Sequence, residues 1–185
     1  MSSTTDNRPV GIVTGASGGL GSATARALHA DGYRLVLMSR SGCKDIAEET
    51  GGIGVAGSVL SDADVDRTGS TALDSFGRVD AAVFGAGRHS EVMKGHEVPT
   101  PPPATRDSFS YDPEYKREIF DLPWPAWHDD YEMMVIAPMR LAKAVVSHIG
   151  AHGRGSFVAM SGIEAGQPRL PFTLGPTARL CQTFG

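Results

Sequence analysis

Val10-Gly11-Ile12-Val13-Thr14-Gly15-Ala16-Ser17-Gly18-Gly19-Leu20-Gly21 is the stretch that decides the fold. A short apolar run of strand-forming residues enters a turn with spaced glycines, and a helical pattern leaves it. Gly15 permits the tight turn. Gly19 lets the backbone approach a pyrophosphate with no Cβ in the way, and Gly21 lets the following helix sit close to a sheet. The N-terminus of that helix presents free N–H groups and the positive end of its dipole. Strand, turn and helix together make a cradle for phosphate. The plain alternative is a glycine-rich turn without a ligand.

Outward from this stretch, short β-rich runs alternate with helical ones. The pattern predicts parallel strands near 9–14, 34–39, 53–57, 79–84 and 155–160. Helices are expected at about 19–31, with Leu20, Ala23, Ala27 and Leu28 on one face, at about 43–50, and from Ser61 to about Phe76. Ser61 with Asp64 three residues later is a capping arrangement. Such alternation implies a parallel sheet covered on both faces, a three-layer α/β/α sandwich. Right-handed crossovers then give a Rossmann-like doubly wound sheet of order 3-2-1-4-5. The reading is one dinucleotide-binding domain over 1–185, interrupted by a long insertion at about 88–125 that holds Pro99 and Pro101-Pro102-Pro103. Connections of that length are functional lids or disordered segments. A long helix is expected over about 126–149, with Asp129 and Asp130 in its first turn and a kink at Pro138. Another helix opens near Thr177, where the chain is about to end.

Composition bounds the partners. The chain has 185 residues, 41 % hydrophobic and 21 % charged, which is ordinary for one globular domain with a core. A net charge of −4 argues against a broad nucleic-acid footprint. No run reaches the ~18 to 20 apolar residues that cross a bilayer. Met1 to Arg8 is polar, lacks an apolar signal core and reads as a disordered lead-in. Cys43 and Cys181 form no Cys-x-x-Cys pair and suit a reducing, cytoplasmic setting. No His, Asp or Glu cluster has metal-ligand spacing, so no metal site is assigned.

The spacing Thr14-Gly15-x-x-x-Gly19-x-Gly21 differs from the Gly-x-Gly-x-x-Gly of most Rossmann dehydrogenases and resembles that of the short-chain dehydrogenases/reductases. Phe84-Gly85-Ala86-Gly87 resembles the family's Asn-Asn-Ala-Gly after strand four, with the small residues kept and the amides lost. The resemblance covers about 1–87 and 127–185 and implies a sheet of about seven strands. Only five are counted here, so the expectation is that the C-terminal part is missing.

That resemblance assigns the cofactor side to Gly15, Ser17, Gly19, Leu20, Gly21, Ser39, Arg40, Gly85, Ala86 and Gly87. An acidic residue after strand two would favour NAD, whereas Ser39-Arg40-Ser41 suits the 2′-phosphate of NADP through charge-assisted hydrogen bonds. NADP is therefore the assigned cofactor, with NAD the alternative, in which Arg40 is an ordinary surface arginine. Ser58 stands where the family often has an aspartate reading the adenine amine.

On the catalytic side the family uses a serine after strand five, a tyrosine with a lysine four residues later, and an asparagine on the long helix. Ser161 fits the serine, although a loop serine capping a turn would look the same. Leu174 and Ala178 stand at the tyrosine and lysine positions, and no Tyr or Lys follows Ser161. Met134 replaces the asparagine. Tyr111, Tyr115, Lys116, His128 and Tyr131 lie in or beside the insertion and are either a substitute proton donor or part of its own packing.

Two functions stay open. One is an atypical oxidoreductase moving hydride between NADP(H) and a small carbonyl or alcohol, with Ser161 holding the substrate oxygen. The other is an inactive nucleotide-binding sensor or partner subunit. The family resemblance also implies a homo-oligomer, a dimer or tetramer, paired through the helix 126–149 and the one near Thr177.

Overall fold

The computed structural model of the chain describes residues 6–87, 123–149, 151 and 155–161. They belong to two units, one holding the described parts of 6–87 and 137–160, the other those of 123–136 with Ser161. In chain order the elements are β1 (Val10–Thr14), α1 (Gly19–Ala30), β2 (Arg34–Ser39), α2 (Lys44–Thr50), β3 (Ile53–Ala56), α3 (Asp62–Phe76) and β4 (Ala81–Phe84). Then come α4 (Trp124–Tyr131), a π-helical turn (Glu132–Ile136), α5 (Ala137–Val145) and β5 (Ser156–Ala159).

In the first unit all five strands are parallel and ordered β3-β2-β1-β4-β5. This is the Rossmann-like, doubly wound arrangement that the alternation predicts. At the centre, Val13 of β1 stands beside Leu37 of β2 and Val83 of β4. Every residue of β1 and β4 is buried, as a parallel sheet with helices on both faces requires. On one face Val13, Leu35, Leu37 and Val83 meet Ala25 of α1 and Ile46 of α2. The chain reverses its direction of travel after β3, so right-handed crossover sends the later helices to the other face. There α3 packs on β1 and β2, and α5 packs on β4 and α3.

The amino ends of the strands are fastened by one buried carboxylate. Asp80 accepts hydrogen bonds from the Val10 N–H (2.8 Å) and from the Arg78 guanidinium (2.6 and 2.8 Å), while its carbonyl accepts from Ser156 N–H at 2.9 Å. Arg78 also donates to Asn7 Oδ1 (2.9 Å), and Arg34 to the Asp6 carbonyl (3.1 Å). Residues 6–8 therefore dock on the sheet, in contrast to the disordered lead-in expected for Met1 to Arg8. Two guanidiniums at the sheet's end supply the anchors, and residues 1–5 lie outside the described set.

Three further expectations are corrected. The buried side of α1 is Gly21 and Ala25, with Leu28 half-buried; Leu20, Ala23 and Ala27 are exposed. Close approach at Gly21 sets the rotation of the helix, overriding the larger apolar side chains. The helix expected over 126–149 starts at Trp124, passes through the π-helical turn and ends at Val145. Pro125 suits a first-turn position, which moves the start earlier. Asp129 and Asp130 consequently lie in the last turn of α4, not in a first turn. The π turn precedes Pro138, whose ring lacks an N–H and would crowd the carbonyl four residues back. Residues 88–122 of the insertion, with Tyr111, Tyr115 and Lys116, and Leu174, Ala178, Cys181 and the helix expected near Thr177 lie outside the described residues.

Candidate functional site

The reversal in strand order falls between β1 and β4, so their carboxyl ends diverge into separate loops and leave a crevice. Gly15 turns the chain out of β1 with φ +70°. A Cβ there would sit 2.7 Å from the Gly85 carbonyl oxygen and 2.8 Å from Ala86 N, so only glycine fits. Thr14, fully buried, accepts the Gly85 N–H on its hydroxyl at 3.3 Å and ties the two loops together. A Cβ at Gly21 would overlap the Gly15 carbonyl oxygen, which brings the first turn of α1 directly against the glycine turn.

The start of α1 is built to leave its donors open. Its N-cap is Gly18, in extended backbone, with no side-chain cap and no acidic residue in the first turn. The first N–H groups of any helix lack partners within the helix. Ser17, Gly18, Gly19 and Leu20 are all exposed, and nothing lies within 4 Å of where a Gly19 Cβ would be. An uncapped helix start beside a turn that admits no Cβ fits the phosphates of a dinucleotide.

The carboxyl end of β2 carries the next group. Arg40 is exposed and makes no hydrogen bond or ion pair among the described residues. Ser39 beside it is buried. Its hydroxyl is 3.1 Å from that of Ser41 and within hydrogen-bonding reach of the Cys43 thiol, and its carbonyl accepts from Gly42 N–H (3.2 Å) and Gly57 N–H (2.9 Å). Ser39 is thus a fixed support under the turn that presents Arg40 and Ser41. Cys43 is buried in left-handed backbone (φ +57°), and burial pushes its thiol pKa up.

At the end of β3, Gly57 and Ser58 form the neighbouring wall. Ser58 donates its N–H to Asp64 Oδ2 at 2.9 Å and accepts Leu60 N–H on its hydroxyl at 3.2 Å. That N–H bond first, and the Arg67 guanidinium second, hold the Asp64 pKa below its ordinary value. Gly85, Ala86 and Gly87 follow β4, half-exposed to exposed. Ser161 is exposed and follows β5 by way of Met160, whose N–H bonds the Phe84 carbonyl at 3.0 Å.

Within the first unit the structure therefore brings Gly15, Ser17, Gly19, Leu20, Gly21, Ser39, Arg40, Gly85, Ala86 and Gly87 to one end of the sheet, the carboxyl ends of β1, β2 and β4. Sequence reasoning missed Thr14 and the return of Asp64 to Ser58. The Ser61-x-x-Asp64 spacing gave half the signal, since Ser61 does accept Asp64 N–H at 3.3 Å. The second unit, taken by itself, sets Trp124 against Trp127 in a tilted pair, with ring centroids 6.5 Å apart and planes at 47°. His128 and Tyr131 are exposed there, and Met134 is buried. Asp130 is buried too, and both it and Asp129 have partners. No group of three or more metal-ligating side chains occurs among the described residues. None of their helices is long and apolar enough to cross a membrane.

Residues 9–103 match the family described as short chain dehydrogenase. The chain belongs to the short-chain dehydrogenase family. A Streptomyces violaceoruber protein whose name places it with the ketoacyl reductases of the granaticin polyketide synthase is 30 % identical over 190 residues, covering 99 % of this chain and 68 % of its own length. The crystal structure of the KRED1-Pglu enzyme superposes with a TM-score of 0.76 at 21 % identity, over 95 % of this chain and 65 % of that one. The L-sorbose reductase of Gluconobacter frateurii, solved with NADPH and L-sorbose, gives 0.72 at 24 % identity, over 96 % and 61 %. The chain thus spans 61–68 % of the length of these three proteins.

Proposed function

We propose that the protein is an NADP(H)-dependent oxidoreductase of small carbonyl or alcohol substrates, and that 1–185 is one dinucleotide-binding domain with an insertion at 88–125. The observation that carries the reading is the uncapped start of α1 against the Gly15 turn, with Arg40, which has no partner among the described residues, at the end of the adjacent strand. NADP(H), when bound, supplies the hydride carrier. The N–H groups of α1 and the turn Ser17–Leu20 hold its pyrophosphate. Arg40 and Ser41 receive the 2′-phosphate, with Ser39 supporting them, and Gly85 to Gly87 give the adenosine room to pack. NAD is the less favoured cofactor because Ser39-Arg40-Ser41, and not an acidic residue, stands at the carboxyl end of β2. The NADPH in the L-sorbose reductase structure supports this choice.

Ser161 donates its hydroxyl to the substrate oxygen, where negative charge develops during reduction. The proton comes from water or from a side chain of the insertion, since Leu174 and Ala178 stand at the positions where the family has its Tyr and Lys. Those two replacements favour a second reading, an inactive nucleotide-binding sensor or partner subunit. We further propose a cytoplasmic homo-oligomer paired through the helical stretch from Trp124 to Val145 and the segment that starts near Thr177. The test is turnover with NADPH across a panel of carbonyl compounds, with Ser161→Ala alongside. Loss of one such donor costs about 3–4 kcal/mol at the transition state. The variant should therefore lose a hundredfold or more in kcat while binding NADPH normally. Tight NADPH binding with no turnover, unchanged by Ser161→Ala, would establish the sensor reading.

A further inference from the structure

The wall beside Arg40 is held from a residue that does not itself line the crevice. We propose that Asp64 is the positioning residue for the adenosine end of the site, an inference that rests on the NADP(H) reading above. Asp64 sits in the first turn of α3 with Ser61 as the helix cap. In the usual reciprocal cap, the carboxylate at this position returns to the N–H of the capping residue. Here it reaches further back. Ser61 N–H is taken by the Ser58 carbonyl at 3.0 Å, and Asp64 Oδ2 accepts Ser58 N–H at 2.9 Å instead.

This longer reach connects α3 to the turn that carries Arg40. Gly57 lies between them. Its N–H goes to the Ser39 carbonyl at 2.9 Å, and a Cβ on it would come within 2.9 Å of the Asp64 side chain and 3.1 Å of Met38 Cε. Asp64 therefore fills the space that makes glycine necessary at position 57. Its second oxygen pairs with Arg67 at 2.7 Å, and Arg67 also donates to the Ala56 carbonyl at 2.7 Å. The carboxylate thus grips the end of β3 twice, once directly and once through Arg67. Ser39, whose carbonyl is filled by Gly42 and Gly57 N–H, transmits the fixed position to the next residue, Arg40. Ser58 cannot read adenine with a carboxylate, so the backbone shape that Asp64 enforces is what the loop contributes.

The test uses the full chain and measures binding of 2′,5′-ADP, 5′-AMP and NADPH by calorimetry, with amide hydrogen exchange at Ser58. Asp64→Ala removes both grips. Asp64→Asn keeps an acceptor for Ser58 N–H but turns its NH2 toward Arg67, so it retains the direct grip and loses the one through Arg67. We expect Asp64→Ala to weaken 2′,5′-ADP about tenfold, 5′-AMP less, and to expose the Ser58 amide to exchange, while Asp64→Asn stays within about threefold of the parent on every ligand. Equal affinity for 2′,5′-ADP in all three chains would overturn the proposal, and so would an equal loss in Ala and Asn. Should Asp64→Ala fail to fold, an Asn variant that folds and still loses tenfold overturns it, and one that retains affinity with a protected Ser58 amide supports it. A parent chain that binds neither NADPH nor 2′,5′-ADP overturns the NADP(H) reading itself, and this inference with it.

Discussion

Gly21→Ala adds one methyl group at the tightest point of the cradle. The new Cβ would overlap the Gly15 carbonyl oxygen and lie 3.1 Å from Ala16 Cα. Carbon atoms in contact rest at about 3.5–4.0 Å, so α1 must retreat from the turn by on the order of 1 Å. The obstacle is backbone, and no rotamer change relieves it. Overpacking of this kind costs about 1–3 kcal/mol. Alanine recovers ~0.5–1 kcal/mol because glycine is the poorer residue in a helix. The net expectation is a loss of up to about 2.5 kcal/mol, read as a lower urea midpoint at unchanged m. Affinity for NADPH should also fall at least tenfold, since the helix donors move away from the turn. Gly18→Ala is the control. Gly18 has extended backbone and nothing within 4 Å of a Cβ, so the substitution should lose only the N-cap preference for glycine over alanine, no more than about 1 kcal/mol in unfolding free energy. A Gly21→Ala protein as stable as the parent, with unchanged NADPH affinity, would refute the argument that close approach of α1 builds the site.

Asp80→Ala should cost about 2–4 kcal/mol in urea unfolding, because it strands the Val10 N–H and the part-buried Arg78 guanidinium at the base of the sheet. Acid should weaken the N-terminal docking. Hydrogen bonds from Arg8 lower the Asp6 pKa from 3.8 to about 2, and the Asp64 pKa is lowered as well, chiefly by the Ser58 N–H. Both are depressed in the folded state, so their contribution is complete above the unfolded value and disappears as pH falls through the folded one. A urea midpoint that is flat above pH 5 and declines from about pH 4 toward 2 is the expected profile, and Asp6→Asn should flatten part of that decline.

Most of the fold was legible because its signals are local and repeated. The run from Val10 to Gly21 dictates strand, turn and helix in twelve consecutive residues, and alternation then fixes the strand order. What escaped depends on geometry between distant residues. The rotation of α1 follows from the Gly15–Gly21 approach, not from where Leu20 and Ala27 fall on a helical wheel. Residues 6–8 dock because Arg34 and Arg78, far along the chain, find them. Spacing revealed the Ser61 cap, but not that the Asp64 carboxylate bypasses Ser61 for Ser58. Ser39 reads in sequence as a ligand-facing hydroxyl, whereas its side chain is turned inward toward Ser41 and Cys43.

Whether the site holds a dinucleotide with its 2′-phosphate facing Arg40 is decided by parallel titrations of NADPH and NADH into the parent chain and Arg40→Asp, since the arginine reading requires a preference that the aspartate abolishes. A hydrogen-bonded charge pair of this type contributes about 1.5–3 kcal/mol, or roughly 10- to 150-fold in affinity. The parent should therefore bind NADPH at least tenfold more tightly than NADH. Arg40→Asp should remove that preference, with NADH affinity changed little. Equal affinities of the parent for the two nucleotides, or an equal loss of both in Arg40→Asp, would contradict the arginine reading.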